Sequence, residues 1–176
     1  MALVVTRPVE GEYDPYYAGY IRRVPDSDLF VFYAEQIDRL NTLASKLTPE
    51  QADFRFGSGE WSIKEMIGHV NDAERVFSYR ALRISRNDLT PLAGFEQDDY
   101  VREANFGART LPDFLEEFAL LRRANILQFN RISPEAILRC GTAGNAPISV
   151  RALLFIMAGH VEHHIESLKQ DYLAKL

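Results

Sequence analysis

The chain has one cysteine, and no apolar run comes near the roughly 20 residues that a membrane span needs. A lone Cys140 excludes an internal disulfide, and no basic start leads into an apolar secretory run. A reducing cytosol is therefore the expected compartment. Basic residues are outnumbered by acidic ones, for a net charge of −5, so no global electrostatic pull toward nucleic acid or an anionic membrane exists. Neither is expected as a partner, and basic pairs such as Arg122-Arg123 read as solvated helix faces. Internal repeats, low-complexity runs and alternating strand patterns are also missing. Cys140 lies in Arg139-Cys140-Gly141-Thr142, away from the histidines, and reads as an incidental thiol.

Histidine is scarce as well, but its four copies are concentrated. All of them lie in Trp61-Ser62-Ile63-Lys64-Glu65-Met66-Ile67-Gly68-His69 and His160-Val161-Glu162-His163-His164. Ser62 can cap a helix start, and Glu65 three residues later can reach back to complete a capping box. At about 100° per residue, His69 shares its side of that helix with Met66, Ala73, Val76 and Phe77. His160 and His164, four apart, share a stripe with Leu153, Met157 and Leu168. Three imidazoles thus face apolar interiors, where an unpartnered ring nitrogen costs on the order of 1–3 kcal/mol. A divalent metal held by the His160/His164 pair and by His69 from a facing helix would satisfy them together and leave a coordination position open. Hydrogen bonds to carbonyls or hydroxyls are the competing explanation. His163 falls at the edge of the stripe, as a rim residue that can assist proton transfer. Asp72 lies close enough in projection to orient an imidazole or accept a proton, and Arg80 can either hold an anionic substrate group or snorkel to the surface.

A composition of 47% apolar and 11% aromatic residues argues against disorder and for one domain over residues 1–176. Residues 1–26 carry Pro8, Pro15, Pro25, Gly11 and Gly19, and predict an extended arm with a short helical turn. Its Tyr13, Tyr16, Tyr17 and Tyr20 are expected to pack along the rest of the chain, or to rim a pocket. Apolar spacing predicts long helices from Ser27 to about Leu47, from Ile63 to Ser85 or Arg86, from Thr110 to about Ile132, and from Val150 to Tyr172. Asn87–Arg109 reads as a long connection with a short helix over Gln97–Ala104, and Leu138–Pro147 as irregular. The fold expected is all-α, an antiparallel four-helix bundle with a crossover in its second connection and the metal-ligating side chains on facing helices.

Two segments carry a family resemblance: Trp61-Ser62-Ile63-Lys64-Glu65 leading into Gly68-His69-Val70-Asn71-Asp72-Ala73-Glu74, and Ala158-Gly159-His160-Val161-Glu162-His163-His164. With the tyrosine-rich arm and the bundle rhythm, the chain resembles the DinB/YfiT-like superfamily of metal-dependent enzymes over nearly its whole length. The resemblance implies that His69, His160 and His164 are the ligands of one divalent metal, often zinc or nickel, and that the protein is a homodimer acting on a small molecule. Hydrolysis and S-transfer from a low-molecular-weight thiol both occur among such enzymes. With no cysteine near the triad, a thiolate would come from a co-substrate. Two other readings stay open: a non-catalytic bundle that binds metal or a small molecule, and a structural dimerisation domain.

Overall fold

The computed structural model describes residues 4–176, so the first three residues of the expected arm lie outside the described residues. The arm forms a 3₁₀ turn at Pro15–Tyr17, capped by Asp14, and continues as α1 (Ala18–Arg22). The four long helices are α2 (Leu29–Ala44), α4 (Ile63–Ser85), α6 (Leu111–Phe129) and α8 (Val150–Ser167). Single turns or short helices lie between them as α3 (Pro49–Ala52), α5 (Gln97–Glu103) and α7 (Pro134–Ile137). Capping is local and legible. Ser62 and Glu65 form the expected capping box on α4, and Thr110 with Asp113 does the same for α6. Asp28 caps α2, which therefore begins two residues after the expected Ser27. The last helix runs to Ser167 and then widens into a π turn, Leu168–Tyr172.

Leu138–Pro147 is not wholly irregular. Strands β1 (Cys140–Ala143) and β2 (Ala146–Ser149) pair antiparallel around Gly144 and Asn145, both with positive φ. A two-residue turn with both φ values positive matches the right-handed twist of a hairpin, and Gly-Asn is a pair that adopts it. Leu92 adds an isolated bridge to this hairpin, tying the long connection down.

Side-chain pairings fix how the helices run. Tyr33 Oη donates to the Leu154 carbonyl, Gln36 Nε2 to that of Ala158, and Arg39 to the Glu162 carboxylate. Both sets of numbers rise together, so α2 and α8 are parallel neighbours. The same is true of α4 and α6, through Asn71 to Phe114 and Arg122 to Glu74. The expected antiparallel packing joins α4 to α8 and α2 to α6. The reason is the crossover from α4 to α6, which returns the chain to the same end before α6 begins.

Two apolar clusters fill the interior. One gathers Leu29, Phe30, Phe32, Phe77, Leu154 and Phe155; the other gathers Leu40, Ile63, Ile67, Phe114, Phe118 and Ile165. Each such side chain contributes about 1.5–3 kcal/mol by leaving water. Between the clusters runs a polar layer of Gln36, Glu74, Arg122, Asn125 and His160, all buried. Arg122, read from sequence as a solvated face, is 0% exposed, whereas Arg123 beside it is exposed. The guanidinium lies 4.1 Å from the Tyr33 ring and bonds to Glu74, Gln36 and the Met157 carbonyl. One side chain from α6 therefore ties together all four long helices.

Candidate metal centre

His69 comes from the second turn of α4, and His160 and His164 from successive turns of the antiparallel α8. Their side chains converge. His69 Nε2 lies 3.0 Å from His160 Nε2, which lies 3.2 Å from His164 Nε2. One ligand atom from each falls within 4.8 Å of the other two. His69 is 2% exposed and His160 5%, with His164 half-buried. Burial pushes His69 down to about 4, with further repulsion from His163. Burial likewise holds His160 and His164 well below the ordinary imidazole value, each also disfavoured by the neighbouring rings. All three are therefore neutral at pH 7.

The donor set fits a divalent cation. An imidazole nitrogen has a single in-plane position, occupied by either a proton or a lone pair. His160 Nε2 faces two other Nε2 atoms and can make a good hydrogen bond to only one of them. Two nitrogen ligands at about 2.0–2.1 Å from a tetrahedral ion stand about 3.3–3.4 Å apart, close to the spacings here. Three neutral nitrogens sharing one focus suit a cation that fills it from the centre.

Aromatic rings wall the focus. Trp61, at the end of the connection into α4, lies 4.7 Å from the His69 ring. Tyr20 from α1 and Phe77 from α4 stand edge-on to His160 at 5.4 and 5.9 Å. Tyr20 comes this close because the residue before His160 is Gly159. A Cβ there would sit 2.0 Å from the Tyr20 carbonyl oxygen.

Two cavities open onto the triad. One of about 310 Å³ meets His69 and His164 and is lined by Trp61, Glu60, His163 and Tyr172. The other, of about 290 Å³, meets His69 and His160 and is lined by Tyr16, Tyr17, Phe77 and Phe95. Tyr20, Gln97 and Asp98 line both. A larger hollow of about 1190 Å³, between Phe30, Val31, Ile126 and Ile137, is apolar and remote from the histidines.

Of the remaining sequence candidates, His163 lines the first cavity, with its ring 5.0 Å from that of His164. Burial, then Arg23, lowers its pKa. Asp72 lines neither cavity; its carboxylate points toward Arg75, 4.0 Å away, and burial pushes it up. Arg80 does not snorkel. It is 4% exposed, donates to the Ala93 carbonyl, and fronts a separate recess next to the second cavity. Cys140 is exposed on the hairpin, outside both cavities. Gln97 and Asp98 escaped sequence reasoning because nothing local marks the start of α5 as a cavity wall. The Glu74–Arg122 pair was masked in sequence because each stands beside another charge, Arg75 and Arg123.

No helix among the described residues is long and apolar enough to cross a membrane. No curated protein matches the sequence. Among solved structures, the fold is shared with YfiT from Bacillus subtilis, described as a probable metal-dependent hydrolase with an unusual four-helix bundle topology. That match has a TM-score of 0.75 at 15% identity and covers 92% of each chain. Residues 33–168, which include all three converging histidines, match the DinB superfamily, and the chain belongs to that family.

Proposed function

We propose that the protein is a metal-dependent enzyme in which His69, His160 and His164 hold one divalent cation, zinc or nickel, and that it hydrolyses a small-molecule substrate. The observation that carries this reading is His160 Nε2, set 3.0 and 3.2 Å from two other imidazole nitrogens that it cannot both satisfy by hydrogen bonding. A divalent cation, when bound, supplies Lewis acidity and brings the pKa of a water or thiol at its open position toward neutrality. The likeness to YfiT supports hydrolysis. S-transfer would use the same residues with a low-molecular-weight thiol as co-substrate, since Cys140 lies outside the cavities.

The chain's own groups have distinct tasks. Trp61, Tyr20 and Phe77 exclude bulk water from the back of the triad and hold the three rings in place. His163, half-buried at the cavity edge, is placed to carry a proton between substrate and solvent. Asp72 has no such access and serves the α4–α6 contact beside Arg75. We further assign the protein to the cytoplasm, in keeping with its single cysteine, and to homodimers, for which the exposed Val31, Leu127 and Leu138 offer apolar surface.

Metal analysis of untagged protein tests the reading. Wild type is expected to retain about one divalent ion per chain and a His160→Ala/His164→Ala variant essentially none; equal contents would refute the site. Turnover across ester, amide and thiol-conjugation panels then separates hydrolysis from S-transfer, and metal retention without any turnover would leave a binding module.

A further inference from the structure

Helix α4 carries three arginines, Arg75, Arg80 and Arg83. Among the described residues eleven arginine and lysine side chains meet a carboxylate within 4.0 Å, but Arg80, although only 4% exposed, meets none.

Arg75 and Arg83 are among the eleven, and Arg80 is not. Its Nη2 donates to the Ala93 carbonyl at 2.7 Å, the Tyr17 hydroxyl is a further polar neighbour, and its Cζ lies 5.8 Å from the rings of both Phe77 and Phe95. A guanidinium has five N–H donors, and burying it without an anion is costly.

The recess it fronts holds about 190 Å³ and is lined by Tyr16, Tyr17, Gly94, Gly144 and Ala146, together with Asp14. The Asp14 carboxylate is engaged elsewhere, accepting from the Tyr16 amide at 2.9 Å. Gly94 and Gly144 leave the floor free of side chains, and bonds from Leu92 N to Thr142 O and from Gly144 N to Leu92 O hold it rigid. Tyr16, Tyr17 and Phe95 line both this recess and the cavity that reaches His69 and His160. The Phe77 ring stands 5.9 Å from His160 and 5.8 Å from Arg80 Cζ, so it links the two places.

We propose that Arg80 and this recess form a carboxylate subsite, and that the substrate carries a single carboxylate joined through an apolar body to the group that reacts at the triad. The planar fork matches a carboxylate in two-point contact. A single charge is specified because the recess offers one basic side chain, while Glu96 and Asp98 line the cavity next door and oppose a dianion. The aromatic lining of that cavity suits the apolar body. That this carboxylate belongs to the substrate rests on the metal-site reading; its binding at Arg80 does not.

Calorimetric titration of the full-length protein with 3-phenylpropionate, its amide, and 2-phenylethylphosphonate is the test. Wild type is expected to bind the carboxylate at least about 10-fold more tightly than the amide, and more tightly than the phosphonate. Arg80→Met should abolish the preference while metal content stays unchanged, and Ala146→Asp, which places a carboxylate in the recess without touching Arg80, should abolish it too. The His160→Ala/His164→Ala variant should keep it, which separates failure of the metal site from failure of the subsite. A preference that survives Arg80→Met and Ala146→Asp would overturn the proposal, as would equal binding of carboxylate and amide by wild type or tighter binding of the phosphonate.

Discussion

Replacing Gly159 by alanine sets two effects of opposite sign against each other. In an unobstructed helix interior the change stabilises by about 1 kcal/mol, because glycine is the poorer helix former. Here the added Cβ would lie 2.0 Å from the Tyr20 oxygen, 2.4 Å from its carbonyl carbon and 2.9 Å from its Cα. Ordinary contact begins at about 3.5 Å, so α1 has to retreat by more than about 1 Å. Backbone atoms cannot rotate aside as a flexible side chain can, which places the cost near the top of the roughly 1–3 kcal/mol range for overpacking. Releasing the arm is no cheaper, since Ile21 and Val24 are buried and each would forfeit about 1.5–3 kcal/mol. The net expectation is a loss of about 2 kcal/mol, or a Tm lower by roughly 4–8 °C for a chain of this size. Urea unfolding followed by circular dichroism measures it. Because Tyr20 packs 5.4 Å from His160, the same variant should surrender metal to a chelator faster than wild type. A Gly159→Ala protein as stable as wild type, with unchanged metal release, would show that the arm does not press on α8.

Two further outcomes follow from the buried polar groups. Glu74→Gln leaves the fully enclosed Arg122 without its anion and should cost about 3–5 kcal/mol, whereas Glu74→Leu/Arg122→Met should come much closer to wild type; urea midpoints decide, and a single variant within 1 kcal/mol of wild type would contradict the ion pair. The metal-free protein should lose stability on acidification. His69 is held at about 4 in the fold against about 6.5 unfolded, so between these pH values only the unfolded chain takes up the proton. This contribution is fully present above about pH 6.5, is lost as pH falls toward 4, and is on the order of 3 kcal/mol for this histidine alone. Chelated protein whose urea midpoint is flat from pH 7 to pH 4 would refute it.

Helix starts were legible in sequence because capping is a contact over three or four residues: Ser62 with Glu65 and Thr110 with Asp113 sit where their spacing put them. Amphipathic spacing likewise marked the inward faces of His69, His160 and His164, since a helix period alone decides which residues share a side. Gly144-Asn145 was an available hairpin signal that the expectation of an irregular segment passed over. What sequence could not decide depends on distances between helices. That α4 and α8 meet antiparallel, bringing His69 within 3.0 Å of His160, is settled by the crossover and by packing along the whole bundle. Arg122 looked like half of a solvated basic pair because its partners Gln36, Glu74 and the Met157 carbonyl come from three other helices. Local rules specify which groups turn inward; only the closed core decides which of them meet, because burial rewards apolar faces without naming their partners.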